Sequence, residues 1–283
     1  MPDTPRFLTT KEVANLLRVK ERKVYDLAAA DEIPHRRVTG KLLFPSADIE
    51  RWIAGSQGVE RPALVTGSHD LLLDWAIRAS GSEMATFYDG STDGLNRFVK
   101  GEAAMCGLHI PDRDGWNIEA LEAASVTDCV LVGFARRRRG LLISPDSDIR
   151  SVGELRGRAV ILRQPGAGSA TFFELALVQA DLAVSDLAPL PVIARTETEA
   201  AEAVAGGTAE AAIGLETLAD QFNLGFVPLT IEAFDLLINR RSYFTTPVQH
   251  LLAFMRTADF AAKARTLKGY EIAAAGEVRW LSA

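Results

Sequence analysis

The stretch RQPGAGS, Arg163 to Ser169, holds the residues in this chain whose types and spacing most invite chemistry. It follows an apolar run, Val160 to Leu162, and precedes a helix-like segment. A strand, a tight turn and a helix in that order aim the first free N–H groups of the helix at the turn, where an anion is favoured. A nucleotide cradle would add a lysine and a serine or threonine after the glycines, or a third glycine, and neither is present. Taken alone, Gly166, Ala167, Gly168 and Ser169 fit either an anion seat or a plain connection with Ser169 as helix cap. Comparable loops recur along the chain: Ser68 and His69 after one predicted strand, Ser91 and Thr92 after the next, His109 after a third, and Glu216 with Thr217 after the last. Hydroxyls and backbone N–H groups from several helix starts, with no lysine among them, suit a small oxyanion held by hydrogen bonds. Glu216 fits that picture poorly, because a carboxylate facing the anion would repel it by several kcal/mol at short range. It either turns to solvent or meets a ligand that carries a donor or a positive group.

Other chemistries find no support. The chain has no nucleophile elbow, no HExxH helix and no credible serine-histidine-acid arrangement, so an enzyme is not expected. The 4 histidines show no metal-ligand spacing. His69 fits a ligand contact or a helix cap, His109 a hydrogen-bonded strand end, His35 a hairpin and His250 a helix. Cys106 and Cys129 each sit in an apolar run, which reads as buried free thiols rather than a disulfide or metal pair. No metal and no cofactor are expected. Arg136 to Arg139 alternate along an extended segment, so two of them should face solvent, on an edge that discourages strand pairing.

These loops need elements to position them. At 283 residues, with 48% hydrophobic and 24% charged content, the chain lies in the ordinary globular range and is long enough for two or three compact units. It opens MPDTPRFLTT, without a leader pattern, and no apolar run approaches the roughly 18 residues of a membrane helix. A cytoplasmic protein with no membrane partner is expected. From Ala63 onward, ALVTG, MATFYDG and AAMCGLHI read as strands alternating with helices DLLLDWAIRAS and TDGLNRFVKG, the order of a parallel sheet with crossovers. Two long extended segments, DCVLVGFARRRRGLLISP and NLGFVPLTIEAFDLLIN, lead out of that part and back to it, around further β-α units, as a hinged pair of lobes requires.

The first fifty or so residues are of another kind. Thr9 and Glu12 form a capping box ahead of Val13, Leu16 and Leu17. After a short break, Val24, Leu27 and Ala28 repeat the spacing in a second helix that stops by Pro34. RRVTGKLLFP makes a hairpin about Thr39-Gly40, and a last helix carries Ile49, Trp52 and Ile53 on one side. Up to Lys41 there are nine basic against six acidic residues, in a chain whose formal charge is −6. Contact with a polyanion must therefore be local.

This segment resembles the small excisionase and MerR-type winged helix-turn-helix domains in Thr10, Glu12, Val13, Ala14, Val24 and Tyr25. It departs from them at Lys20 and Glu21, where that family has a serine cap and a basic residue. The resemblance implies that Arg22, Lys23 and Tyr25 enter the major groove of double-stranded DNA, with Lys20 also on the DNA-binding face, while Arg36, Arg37 and Lys41 meet phosphates or the minor groove. The rest, about residue 63 to the end, resembles the type II periplasmic-binding-protein fold. GSHD, DGSTDGLNRFVKGEAAMCGLHIPD, VLVGFARRRRGLLISP, GRAVILRQPGAGSATFFE and FVPLTIEAFDLLINR look more narrowly like the molybdate-binding-protein-like domain found behind helix-turn-helix modules in bacterial regulators. The fold class is thus α/β: a winged helix-turn-helix at 1–55, a linker at 56–62 and a two-lobed ligand-sensing domain at 63–283. Lobe 1 takes about 63–135 and 228–283, and lobe 2 about 136–227. That resemblance implies a small anionic effector, molybdate or tungstate among the candidates, in a cleft between lobes lined by Ser68, His69, Ser91, Thr92, Gly166, Ala167, Gly168, Ser169 and Glu216. It also implies a homodimeric transcriptional regulator acting on a DNA operator. The alternative is a protein that does not bind DNA and handles an oxyanion or cofactor of molybdenum or tungsten metabolism.

Overall fold

A computed structural model of the protein describes residues 7–56, 60–113 and 115–282. By its internal contacts the chain divides between Glu60 and Arg61. Part of the expected linker, residues 57–59, lies outside the described residues, as does Arg6 of the basic tally.

The first unit runs β1 (Phe7–Thr9), α1 (Thr10–Leu17), α2 (Glu21–Ala29), β2 (Arg36–Val38), β3 (Lys41–Pro45) and α3 (Ser46–Ser56). The capping box forms: Glu12 N–H donates to Thr9 Oγ1 at 3.3 Å and Thr9 N–H to Glu12 Oε2 at 2.7 Å. The hairpin of β2 and β3 turns on Thr39 and Gly40, both at positive φ (49° and 80°), as a two-residue turn matched to strand twist demands. β1 adds a third strand in the order β1-β3-β2. Val13, Ala14, Val24, Ala28, Ile33, Phe44 and Ile49 form the core, with Trp52 and Ile53 packed on it. Leu16, expected on the buried face of α1, is 52% exposed. The 3.6-residue period places Leu17 between Val13 and Ala14 and leaves Leu16 on the rim. Trp52 Nε1 donates to Glu32 O at 2.7 Å, tying α3 to the end of α2.

The second unit continues β4 (Leu64–Gly67), α4 (Leu71–Ala79), β5 (Ala85–Tyr88), α5 (Ser91–Val99), β6 (Met105–Leu108), α6 (Ile118–Ala123) and β7 (Cys129–Ile143). There follow β8 (Ala159–Arg163), α7 (Gly168–Gln179), β9 (Ala188–Ala194), α8 (Glu197–Ala205), β10 (Ala211–Leu215), α9 (Glu216–Gln221) and β11 (Gly225–Asn239). The chain ends in α10 (Arg240–Tyr243), α11 (Thr246–Phe254), α12 (Ala258–Arg265), β12 (Tyr270–Glu271) and β13 (Val278–Leu281). Strand order is β5-β4-β6-β11-β7-β10-β8-β9, with β12 and β13 on β7. Pairing is parallel among β5, β4 and β6 and among β10, β8 and β9, as buried strands joined by helical crossovers require. The two halves are joined by the antiparallel pair β7 and β11, each 15 residues long, or about 50 Å at strand rise. One half of each long strand lies in either lobe, and their pairing shifts register at Pro228/Thr230 and Phe234/Asp235. Pro189 and Pro191 sit in β9, the end strand, where missing N–H groups cost no ladder bond.

The apolar cores follow this division. Val65, Leu72, Leu73, Phe134, Phe234 and Phe260 belong to the cluster beside β4 and β6, while Leu141, Val160, Phe173 and Ile213 belong to one beside β8 and β10. Cys106 and Cys129 are buried free thiols. Among the described residues no helix is long and apolar enough to cross a membrane.

The capping box gives a local handle on the first unit. Thr9→Ala is expected to remove about 1 kcal/mol from α1, read as faster amide hydrogen exchange confined to residues 7–56; unchanged exchange there would show that the cap does not hold the helix.

Candidate functional site

In the second unit, four helix starts meet at one cavity of about 270 Å³. From the first lobe it is lined by Ser68 and His69 ahead of α4, Tyr88 and Gly90 ahead of α5, and His109 after β6. From the second lobe come Arg163, Gln164 and Ala167 ahead of α7, and Arg195, Thr196 and Glu197 ahead of or opening α8. Residues at or just before each of these helix starts border this space, which the helix dipoles make favourable for negative charge, although the N–H groups of Leu73 in α4, Thr92 in α5 and Glu199 in α8 already have acceptors.

The lobes meet at a seam beside the cavity. Thr92 N–H donates to Gly166 O at 3.2 Å, and Gln164 Nε2 to Asp89 O at 3.3 Å. Two glycines permit the approach. A Cβ on Gly90, whose φ is +105°, would lie 2.7 Å from Gly166 O, and one on Gly168 would lie 2.4 Å from His109 O. Trp116 and Phe172 face each other across the same junction, ring centroids 6.1 Å apart.

Below the cavity lies a buried network of charges. Arg137 and Arg139, two residues apart and so on one face of β7, are 1% and 0% exposed. Arg137 pairs with Asp70, the N-cap of α4, at 2.7 Å and with Glu232 of β11, and its guanidinium stacks 4.3 Å from the Phe234 ring centroid. Arg139 binds Glu232 through Nε and Nη2, and Glu197 through Nη1 and Nη2 at 3.3 and 3.1 Å. His109 Nδ1 lies 3.1 Å from Glu232 Oε2, and Tyr270 Oη donates to Asp70 at 2.6 Å. Burial alone would push Glu232 up, yet Arg137, Arg139 and His109 hold it well below the usual carboxylate range. Burial likewise opposes ionisation of Glu197, but Arg139 and Arg163 outweigh it and bring its pKa to about 2. Burial pushes His109 down, so the ring is neutral. Because Glu232 can only accept, His109 Nδ1 carries the proton and Nε2 is left as an acceptor.

Arg136 and Arg138 do face solvent, but the solvated-edge reading of the run is overturned for the other two arginines. β7 is an inner strand flanked by β11 and β10, not an edge, and on the face bearing Arg137 and Arg139 the starts of α4 and α8 bring Asp70 and Glu197 against them.

The expected ligand residues divide by position. Ser68, His69 and Ala167 line the cavity. Ser91 stands behind, its Oγ 2.8 Å from Ser68 Oγ and accepting from His109 N–H at 3.2 Å. Thr92 and Gly166 form the seam, Gly168 packs on His109, and Ser169 is fully buried in the first turn of α7. Glu216 does not join them. It pairs with Arg138 at 3.4 Å and lines a separate groove with Asp220, Phe226 and Lys268.

Sequence reading missed Tyr88, Arg163, Arg195 and Glu197. Of the buried side-chain polar atoms, six have no hydrogen-bond partner among the described residues. Two belong to Arg137, between its carboxylates; the others are Tyr88 Oη, Arg163 Nε, Arg163 Nη1 and Ser169 Oγ. All four belong to residues that line this cavity or stand one turn from it. An unsatisfied buried donor costs about 1–3 kcal/mol, more when charged, so four at one place mark a site made to be filled. Burial lowers the pKa of the Arg163 guanidinium, with Glu197 opposing, but an arginine stays protonated. His69 packs edge-on against Tyr88, centroids 5.2 Å apart, completing a wall of one hydroxyl and two imidazoles.

In the first unit, Lys20, Arg22, Lys23 and Tyr25 are all exposed at the start of α2, and Arg36, Arg37 and Lys41 are exposed on the hairpin. Lys20 is the N-cap of α2 and makes no side-chain cap bond. No ion pair among the described residues engages any of these basic groups.

A family described as "PBP superfamily domain" matches residues 75–256, and one described as "Helix-turn-helix domain" matches residues 7–57. YvgK, an uncharacterized protein of Bacillus subtilis (strain 168), is 23% identical over 300 residues, covering 95% of this chain and 96% of that one. Among solved structures, a putative phosphate ABC transporter substrate-binding protein with bound phosphate from Clostridium perfringens matches 74% of this chain and 98% of its own (11% identity, TM-score 0.57). PhnD1 from Prochlorococcus marinus in complex with methylphosphonate matches 75% and 92% (9% identity, TM-score 0.52).

The network should make the unit acid-sensitive. A Glu197 pKa of about 2 against an ordinary 4.5 means stability on the order of 3 kcal/mol, present above pH 4.5 and lost as pH falls toward 2. The lowered His109 pKa acts with the same sign, beginning below 6.5. Glu232→Gln, which leaves two buried guanidiniums short of charge, is expected to cost about 3 kcal/mol or more in denaturant unfolding at neutral pH. A loss under 1 kcal/mol would show that the arginines find other partners.

Proposed function

We propose a function on the premise that the chain belongs to the PBP superfamily and carries an N-terminal helix-turn-helix domain: it is a ligand-responsive DNA-binding regulator rather than an enzyme. Its effector is a small oxyanion, with molybdate, tungstate, phosphate and phosphonate as the candidate class, held in the 270 Å³ cavity. The observation that carries this reading is the set of orphaned buried donors on Tyr88, Arg163 and Ser169 at a cavity where helix N-termini converge. An anion would satisfy Arg163 Nε and Nη1 together, the fork geometry that guanidinium offers to oxyanions. Ser68 and the backbone of the Gly166 to Ser169 loop supply further donors, braced by Ser91 and Thr92.

The regulator acts in the cytoplasm as a homodimer, since helix-turn-helix heads read two-fold operators in pairs. Arg22, Lys23 and Tyr25 enter the major groove, Lys20 supports the start of that helix, and Arg36, Arg37 and Lys41 grip phosphates. Occupancy of the cavity changes the hold on the operator by no more than the difference in effector affinity between the two states.

In a thermal-shift panel of phosphate, methylphosphonate, sulfate, methanesulfonate, molybdate and tungstate, at least one anion is expected to raise the melting temperature. Arg163→Gln should erase that shift. With duplexes selected from a random pool, the same anion is expected to change the affinity of the full chain at least about fivefold. Alanine at Arg36, Arg37 or Lys41 should reduce the log–log salt slope by about 0.9. Equal affinity with the cavity filled and empty would end the regulatory reading.

A further inference from the structure

Resting on the reading of this cavity as the effector site, we infer that the effector is an oxyanion bearing its own hydrogen-bond donor, a P–OH, and that Glu197 selects it against oxyanions that bear none. Arg163 and Glu197 line the same cavity with opposite charges, yet they form no ion pair. Each is committed elsewhere or left open. Glu197 gives both oxygens to Arg139, while Arg163 donates only through Nη2, to Arg195 O at 3.2 Å. Arg163 Nε and Nη1 remain without partners.

A ligand between them therefore meets two opposite demands. Toward Arg163 it must present acceptors. Toward Glu197 it must present a donor, because an ionised carboxylate has about four lone-pair directions and Arg139 occupies only one on each oxygen. Glu197 cannot supply the proton itself, since Arg139 keeps it ionised. His109 adds to the same demand: with Nδ1 given to Glu232, its Nε2 is a second acceptor on a ring that lines the cavity.

Hydrogen phosphate and a singly protonated phosphonate meet both demands. Sulfate, methanesulfonate and molybdate have the same tetrahedral centre and no proton, so they would set a charged oxygen against the Glu197 carboxylate. A site built around a missing proton discriminates strongly, because the mismatch leaves buried groups unpaired as well as repelled.

The test is calorimetric titration of the full chain at neutral pH and matched ionic strength with two isosteric pairs, phosphate against sulfate and methylphosphonate against methanesulfonate, and with molybdate. Phosphate or methylphosphonate is expected to bind at least about a hundredfold more tightly than its isostere and than molybdate. Glu197→Gln, whose amide can donate, is expected to shrink that gap to under about tenfold. Sulfate, methanesulfonate or molybdate binding as tightly as the protonated anions to the unmodified chain would overturn the inference while leaving the cavity as the effector site. A preference unchanged in Glu197→Gln would overturn the role of Glu197. Binding of none of the five would remove the effector reading and this inference with it. The comparison within the unmodified chain decides the ligand class even if the variant fails to fold.

Discussion

The constraint on which the effector unit depends is the burial of two arginines on the strand that both lobes share. Arg137 and Arg139 are taken fully out of water on β7, and each must then be matched by carboxylates brought from elsewhere. The chain supplies Asp70 from the start of α4, Glu232 from β11 and Glu197 from the start of α8. Those three elements belong to the first lobe, the shared strand pair and the second lobe, so the electrostatic requirement fixes how the lobes meet. Two cations and three carboxylates leave one negative charge, and Arg163 beside them brings the sum to zero before any ligand arrives. Its own partner is absent because Arg139 has already taken Glu197.

The open donors of Arg163 thus stand beside a carboxylate that is already paired with Arg139. This has a consequence for closure. The seam bonds from Thr92 to Gly166 and from Gln164 to Asp89 are neutral and few, worth about 1 kcal/mol each. A ligand in the space between the lobes would add to these bonds. A ligand that takes up Arg163, Tyr88 and Ser169 at once gains in the closed state what it cannot gain from one lobe alone. That differential contact is the quantity a switch needs.

Much of the framework could be read from the residues. The capping box at Thr9 and Glu12 and the turn at Thr39-Gly40 are local signals with local causes, and both form as expected. So do the strand ends that bear Ser68, Ser91 and Gly166, because apolar runs followed by glycine, serine and a helix pattern allow few alternatives. The fate of Arg136 to Arg139 was half legible. Alternation showed that two of the four must leave water, but their partners lie 67, 93 and 58 residues away, and nothing local shows that β7 is an inner strand. Arg163 opens the very loop that raised the question of an anion. It was passed over because a residue ending a strand can face either way, and only the packed lobes show which. Glu197 and Glu216 illustrate the same limit: both open a helix after an apolar stretch, and only the tertiary fold decides which carboxylate faces the cavity and which pairs with Arg138.

The distribution of charge links the two units without requiring any contact between them. The head carries three excess positive charges up to Lys41, so the remainder of the chain carries about nine negative ones within a total of −6. An acidic body is repelled by a phosphate backbone over roughly a Debye length, about 8 Å at physiological salt, and contributes nothing to nonspecific attraction. Under the proposed reading, DNA contact would fall to the few basic side chains on α2 and the hairpin, where each phosphate neutralised counts. On that reading Lys20, which makes no side-chain cap bond, and Glu21 after it would leave base contacts to Arg22, Lys23 and Tyr25.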